Sequence, residues 1–267
     1  MNREESYHEE VAEIFSEAAA VYDERIQANF LNRHVRRLEL NELISVSTGM
    51  SDILEIGCGT SQEALNFVKN TGKRVTCIDI SPGMISFSTG KFRGAGLSDH
   101  YSASVLPACR ASELGREFDV VYSMNGALNT EPDLEQFFDS IMEITHVGSR
   151  VLLSFRNTFC LGEWLYFRIK GDRDLYRRKR GTYVDVPVVG RNVKSRYISL
   201  KELAKWMGDE FQIRKTKGLC FLFPPYTASF VRSGLIRKLV VAVETLASYL
   251  PFTGRLSDQI MVTAVRK

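Results

Sequence analysis

With 267 residues, 44% of them apolar and 25% charged, the chain is long enough for one large α/β domain or two small ones, and its composition is that of an ordinary globular protein. A net charge of only +3 carries no overall nucleic-acid signature. Five scattered cysteines without a CxxC pair argue against a zinc site or a disulfide framework, and no run approaches the roughly 20 apolar residues of a membrane span. With a glutamate-rich start that does not read as a signal peptide, these features predict a protein of the reducing cytoplasm.

Residues 9–46 carry two helical patterns; in the first, Val11, Ile14, Phe15 and Ala18 recur at three- and four-residue spacing and mark one buried face. An apolar strand over 52–57 runs into a turn with glycines at 57 and 59. A helix follows to Asn70, and Thr60 and Glu63 have the spacing of a capping box at its start. A second strand, 74–80, carries Asp79 near its end; Ser81 and Pro82 then suit the cap and first position of a helix. Strands are predicted at 100–105 and 118–125, a helix at 133–146 on the stripe Leu134, Phe137, Phe138 and Ile141, and a fifth strand at 150–155. The rhythm then breaks for about forty residues. Ser199 and Glu202 form a second capping box, opening a helix to about Gly208, and strands follow at 211–219 and 258–266. Between them Leu235, Leu239, Val243, Leu246 and Leu250 space as a helix, as core or as the wall of a greasy pocket.

Alternating strands and helices predict an α/β fold, a doubly wound and mostly parallel seven-stranded sheet with helices on both faces. The expected division is an N-terminal helical cap over 1–50, a core over 51–155 and 198–267, and an insert over 156–197.

The stretch Leu54-Glu55-Ile56-Gly57-Cys58-Gly59-Thr60 is the most informative. Glycine lets a ligand press against the backbone at a strand's carboxyl end, where open α/β sheets bind nucleotide-like groups. A dinucleotide fingerprint wants a small residue where Gln62 stands, which weakens an NAD reading. Glu55, inside an apolar strand, is costly without a partner. This stretch resembles the first motif of class I S-adenosylmethionine-dependent methyltransferases, although Ser61 stands where a third glycine is usual. Asp79-Ile80-Ser81-Pro82-Gly83-Met84 resembles the same family's Asp-x-Ser-x-x-Met pattern. The resemblance implies S-adenosylmethionine as cofactor. Glu55 would order the loop and the methionine moiety, and Gly57, Cys58 and Gly59 would bring the backbone against it. Asp79 would hold the ribose hydroxyls, with Ile80 and Met84 against the adenine. It further implies Asn125 at the amino acid end of the cofactor or the reacting methyl, and leaves Ser104 or a nearby backbone group to read the adenine amino group. Ala19-Ala20-Val21-Tyr22-Asp23 resembles the N-terminal helix of the family's small-molecule members, which implies Tyr22 closing over the cofactor's carboxylate.

Residues 156–197 hold eleven basic residues against four acids, an excess larger than the net charge of the whole chain, with aromatics interleaved. They are read as a substrate lid, with Arg156, Tyr183 and Arg196 as substrate residues. Arginines there suit a carboxylated or phosphorylated acceptor, and equally an anionic membrane surface or RNA phosphates. Transfer from a sulfonium needs positioning above all, and the histidines at 8, 34, 100 and 146 offer no evident base, so no catalytic residue and no metal ligand is assigned. The expected function is methyl transfer to a small-molecule acceptor, acidic or lipid-like, without DNA and with peripheral membrane contact open. An RNA methyltransferase and a non-catalytic cofactor-binding protein of the same fold are the alternatives.

Overall fold

The computed structural model describes residues 3–171 and 183–267. Its strands are β1 (Ile53–Ile56), β2 (Val75–Asp79), β3 (Tyr101–Val105), β4 (Phe118–Ser123), β5 (Thr145–Arg156), β6 (Val184–Val188), β7 (Arg191–Ser195), β8 (Phe211–Leu219) and β9 (Gln259–Arg266). Seven of them form one sheet in the order β3-β2-β1-β4-β5-β9-β8, parallel from β3 to β5, with β9 antiparallel to both its neighbours. β6 and β7 form a separate antiparallel hairpin.

The sheet is buried on both faces, which explains the near-continuous apolar runs of its central strands. Ile53, Cys77, Val120 and Tyr122 face one core, shared with α2 (Phe30–Val46) and α3 (Gln62–Thr71). Leu54, Ile56, Ile78 and Val121 face the other, shared with α5 (Leu134–Glu143) and α7 (Leu200–Met207). All five cysteines are buried and unbridged. No helix among the described residues is long and apolar enough to cross a membrane.

Strand order reverses at β1 and β4, so a crevice opens beyond their carboxyl ends, the place where such sheets bind ligands. A roof covers it. α1 (Arg3–Ala28) lies against the start of α4 (Pro82–Gly94), where Gly83 is needed: a Cβ there would sit 2.7 Å from the Ser16 Cα. The Ser16 hydroxyl accepts from the Gly83 N–H at 3.1 Å and lies 2.8 Å from the Ser81 hydroxyl. The β6–β7 hairpin clasps the other side of α1. The Tyr7 hydroxyl donates to the Lys194 carbonyl at 2.8 Å, and Arg191 pairs with Glu13 at 3.0 Å.

Four details differ from the sequence reading. The Thr60–Glu63 capping box does not form: Ser61 is the N-cap, in the left-handed region at φ +52°, and the Thr60 hydroxyl donates to Asp23 instead. The helix expected to 146 ends at Glu143, because Thr145 already pairs with Phe118 in the sheet. The forty-residue break contains α6 (Leu161–Lys170) and the β6–β7 hairpin, while Arg173 and the run Arg177, Arg178, Lys179 and Arg180 lie outside the described residues. Finally, α8 (Gly234–Ser248) forms as expected but turned over: Leu235, Leu239, Leu246 and Leu250 are exposed and Glu244 is buried. Three backbone N–H groups, of Phe221, Leu222 and Phe223, donate to the Glu244 carboxylate at 2.7–2.8 Å. A buried carboxylate with that many donors is well satisfied, and it fixes the helix's rotation against the chain's apolar pattern.

Beneath the crevice, α2 sends Glu39 into the interface of β4, β5 and β9. One of its oxygens accepts from the Ser154 hydroxyl (2.5 Å), the Gln259 amide (2.7 Å) and the Asn125 N–H (3.2 Å). Burial outweighs these bonds and pushes the carboxyl up from 4.5 to about 7. A raised carboxyl pKa stabilises the folded state at low pH, and that contribution is lost as pH climbs from about 4.5 through 7. The unfolding free energy of E39Q should therefore gain about 2–3 kcal/mol on the wild type between pH 5 and pH 8. Urea titrations at the two pH values measure this; parallel profiles would refute the assignment.

Candidate active site

The site grows out of two turns. β1 ends at Gly57, whose φ of +68° is left-handed and whose N–H donates to the Ile78 carbonyl at 2.8 Å. A Cβ on Gly57 would come within 2.7 Å of the Ala127 Cβ, so the turn after β1 and the loop after β4 meet only because no side chain intervenes. Two residues on, the Gly59 N–H donates to one Asp79 oxygen at 2.7 Å, and the Ser81 N–H donates to the other at 2.9 Å. Asp79 thus staples the β1 turn to the β2 turn. Burial raises its carboxyl pKa, and the two N–H groups oppose that rise. Each oxygen keeps a lone pair for a further donor.

Above these turns lies a cavity of about 1020 Å³. Gly57, Gly59, Asp79 and Asn125 lie on its strand-tip side; Val11, Phe15 and Tyr22 of α1 and Val186, Val188 and Val193 of the hairpin line the roof. A side pocket of about 40 Å³ shares Tyr22, Arg36, Gly57, Gly59 and Asn125 with it and adds Glu55 and Glu63. Burial holds the Glu55 carboxyl well above its ordinary value, and neighbouring Glu63 pushes the same way. Arg36 pairs with Glu63 at 2.6 Å, leaving one guanidinium to two carboxylates. A cationic group entering this corner is electrostatically favoured, and an anionic one is drawn only to Arg36. Burial also raises the pKa of Tyr22, so its hydroxyl stays protonated and able to donate.

Of the residues singled out from the sequence, Tyr22, Glu55, Gly57, Cys58, Gly59, Asp79, Ile80, Met84, Asn125, Arg156 and Tyr183 lie on the wall of one or both cavities. Cys58 is itself buried, with its backbone N–H on the Ile78 carbonyl, so it belongs to the turn more than to the pocket. Asn125 adopts φ +57°, its N–H held by Glu39. Two expectations are corrected. Ser104 is exposed on the edge strand β3, and Leu106 and Ala108 form the cavity wall beyond it. Arg196 turns away, its guanidinium 4.9 Å from the Trp206 ring centroid and 3.3 Å from Glu202, while Tyr197 takes the cavity position. Arg156 reaches the wall in an ion pair with Asp258, which raises its already high pKa.

Two contributors have no role in the sequence reading, Arg36 because it was not singled out and His8 because it was set aside as a base. Arg36 lies on α2 and reaches Glu63 across the fold. His8, the histidine of the main cavity's lining, sits 3.0 Å from Glu131, which is itself buried behind the loop following β4. Neither has a local motif; 27 residues separate Arg36 from Glu63 and 123 separate His8 from Glu131.

Residues 53–148 match the family model described as a methyltransferase domain. Among curated proteins, a methyltransferase of Streptomyces halstedii is 23% identical over 116 residues, 43% of this chain and 41% of that protein. A sterol 24-C-methyltransferase of Gibberella zeae is 27% identical over 147 residues, 55% of this chain and 36% of that protein. Residues 53–148 are a methyltransferase domain, and the sheet that holds them has the class I methyltransferase fold.

The matched part spans only about two fifths of the length of those curated relatives. Solved class I methyltransferase structures share the fold across most of the chain. Magnesium protoporphyrin IX methyltransferase from Synechocystis PCC 6803 covers 96% of this chain and 98% of its own, at a TM-score of 0.60 and 16% identity. Geranyl diphosphate C-methyltransferase from Streptomyces coelicolor A3(2) covers 85% and 76%, at 0.54 and 14%. Within this methyltransferase fold Ser61 is also accounted for. It holds the left-handed conformation a glycine adopts freely, and its hydroxyl lies 3.1 Å from that of Tyr101. Gly57 tolerates no such replacement. G57A combines the clash with Ala127 and an unfavourable φ, and should lose about 3 kcal/mol in urea unfolding. A loss below about 1 kcal/mol would mean that the two loops part easily.

Proposed function

We propose that the chain transfers a methyl group from S-adenosylmethionine to a small, largely apolar acceptor held in the 1020 Å³ cavity. The observation that carries this reading is the joining of two unlike halves in one space. One half is a polar corner of bare backbone, Asp79, Glu55 and Arg36; the other is a wall of valines and aromatic rings under the roof.

The polar corner fits an adenosine joined to methionine. Asp79 has a free lone pair on each oxygen for a diol, and Ile80 and Met84 give an apolar slot beside it. Arg36 and Tyr22 suit a carboxylate, while Glu55 and Glu63 suit an ammonium and the positive charge of a sulfonium. When bound, the cofactor supplies an electrophilic methyl carbon.

The chain's own part is to hold the acceptor, exclude water and accept a proton where the acceptor must lose one. For that last task we assign the His8 imidazole through Nδ1, since Nε2 faces the buried Glu131 carboxylate at 3.0 Å, which orients the ring and holds the proton on Nε2. Two of the wall's three arginines, Arg36 and Arg156, already have acidic partners and the third, Arg25, is exposed, which with the apolar roof favours a lipid-like acceptor over an acidic one. Tyr183, Tyr197 and Phe167 are placed to pack against such a molecule.

Isothermal titration with S-adenosylhomocysteine tests the cofactor half. The wild type is expected to bind, and D79A to bind about 100-fold more weakly through loss of two charge-assisted hydrogen bonds. A wild type that binds none would sink the reading. Incubation with S-adenosylmethionine and a cellular lipid extract tests the acceptor half by release of S-adenosylhomocysteine. H8A should cut the turnover rate by about 100-fold while its cofactor affinity stays at the wild-type value. An unchanged rate would remove His8 from the chemistry.

A further inference from the structure

The overturned helix leaves an apolar surface that the core does not use. At 3.6 residues per turn, Leu235, Leu239 and Leu246 fall within about 40° of one another on α8, and they are 79%, 64% and 71% exposed. Leu250 and Phe252, just past the helix, continue the exposed stripe. The first turn of α6 meets the same segment 221–223 that Glu244 holds, the Gly162 N–H donating to the Phe221 carbonyl at 3.1 Å. Ile169 of α6 is 85% exposed. Isolated exposed leucines are ordinary, but a stripe along one helix is not.

Charge on this side is sorted with equal consistency. In residues 226–257 the cations are Arg232, Arg237, Lys238 and Arg255, all exposed, and the only acid is the buried Glu244. In α6 the cations Arg168 and Lys170 are exposed, and the only acid is the buried Glu163. Outward leucines edged by cations, with the described acids of these two segments turned inward, are complementary to an anionic bilayer, where apolar side chains enter the acyl boundary and cations meet headgroups. A second copy of the chain would bring the same cations face to face.

The surface is also continuous with the cavity. The Tyr166 ring stacks on that of Phe230, which is exposed, at 6.0 Å, and Phe167 stacks on Tyr226 at 6.4 Å; Phe167 and Tyr226 line the cavity. A path of aromatic rings therefore joins the outward face to the acceptor half.

We propose that the outer face of α8 docks the protein on an anionic lipid bilayer. The proposal goes beyond the methyl-transfer reading, and its test needs neither cofactor nor turnover, so either can fail alone. The experiment is co-sedimentation of the full chain with vesicles of equal parts phosphatidylglycerol and phosphatidylcholine, against vesicles of phosphatidylcholine alone. The wild type should pellet with the anionic vesicles, pellet less with the neutral ones, and be released by high salt. The double variant L235E/L239E should lose about tenfold in partitioning at an unchanged melting temperature. A second pair, R232E/K238E, leaves the leucines in place and should weaken binding to the anionic vesicles alone. A wild type that stays in the supernatant would overturn the proposal. So would variants that bind as the wild type does, or a wild-type dimer that L235E/L239E converts to monomer without any vesicle binding, which would make the face a contact between copies.

Discussion

One carboxylate organises this molecule. Asp79 accepts from Gly59 on one side and Ser81 on the other, and so carries the β1–β2 pairing on into the two turns beyond the strands. Its influence spreads outward by contact. Ser81 caps α4 through Met84, and its hydroxyl meets Ser16, which locates α1. α1 in turn is clasped by the hairpin through Tyr7 and Arg191, so the roof is referred back to a single buried acid. The two bonds offset the burial that raises its pKa, and they leave it short of fully satisfied, ready for a ligand that donates two more.

The same economy governs the other buried acids. Glu39 positions Asn125 from below, Glu63 pairs with Arg36 beside the buried Glu55, and Glu244 sets the rotation of α8. A fold assembled for stability alone would have little reason to bury so many carboxylates, each of which costs several kcal/mol unless its oxygens are met. Three of them border the crevice, Glu55 and Glu63 in the side pocket and Glu39 just beneath Asn125. Strain is placed there too: Ser61 and Asn125 both hold left-handed backbone beside Gly57.

How much of this was legible depended on whether the signal was local. The sheet was readable because parallel strands buried on both faces print as unbroken apolar runs, and the turns at Gly57 and Asp79 because each is a contiguous motif. Ser104 failed because its strand lies at the sheet's edge, where one residue decides between wall and solvent. Arg196 failed because one helical turn of sequence offered it Glu202 and Trp206 as partners on the outside. Arg36 was invisible and His8 was weighed as a base and set aside, since their partners are joined to them only by the tertiary fold. α8 misled most: its leucines obey the helical period, but three N–H groups on Glu244 outbid them for the interior.

The placing of β9 has a consequence for the order in which the chain can assemble. It follows both β5 and β8 in sequence yet lies between them, pairing with Arg150–Arg156 on one side and Phe211–Leu219 on the other. While the polypeptide leaves the ribosome, β8 has no neighbour to zip onto, and β5 presents a bare edge able to recruit strands of other nascent molecules. The half of the sheet carrying the nucleotide-style turns can form early from nearby segments, and the other half must wait for a wedge delivered after both its flanks. Holding factors that shield an open strand during synthesis would find their natural substrate in this interval.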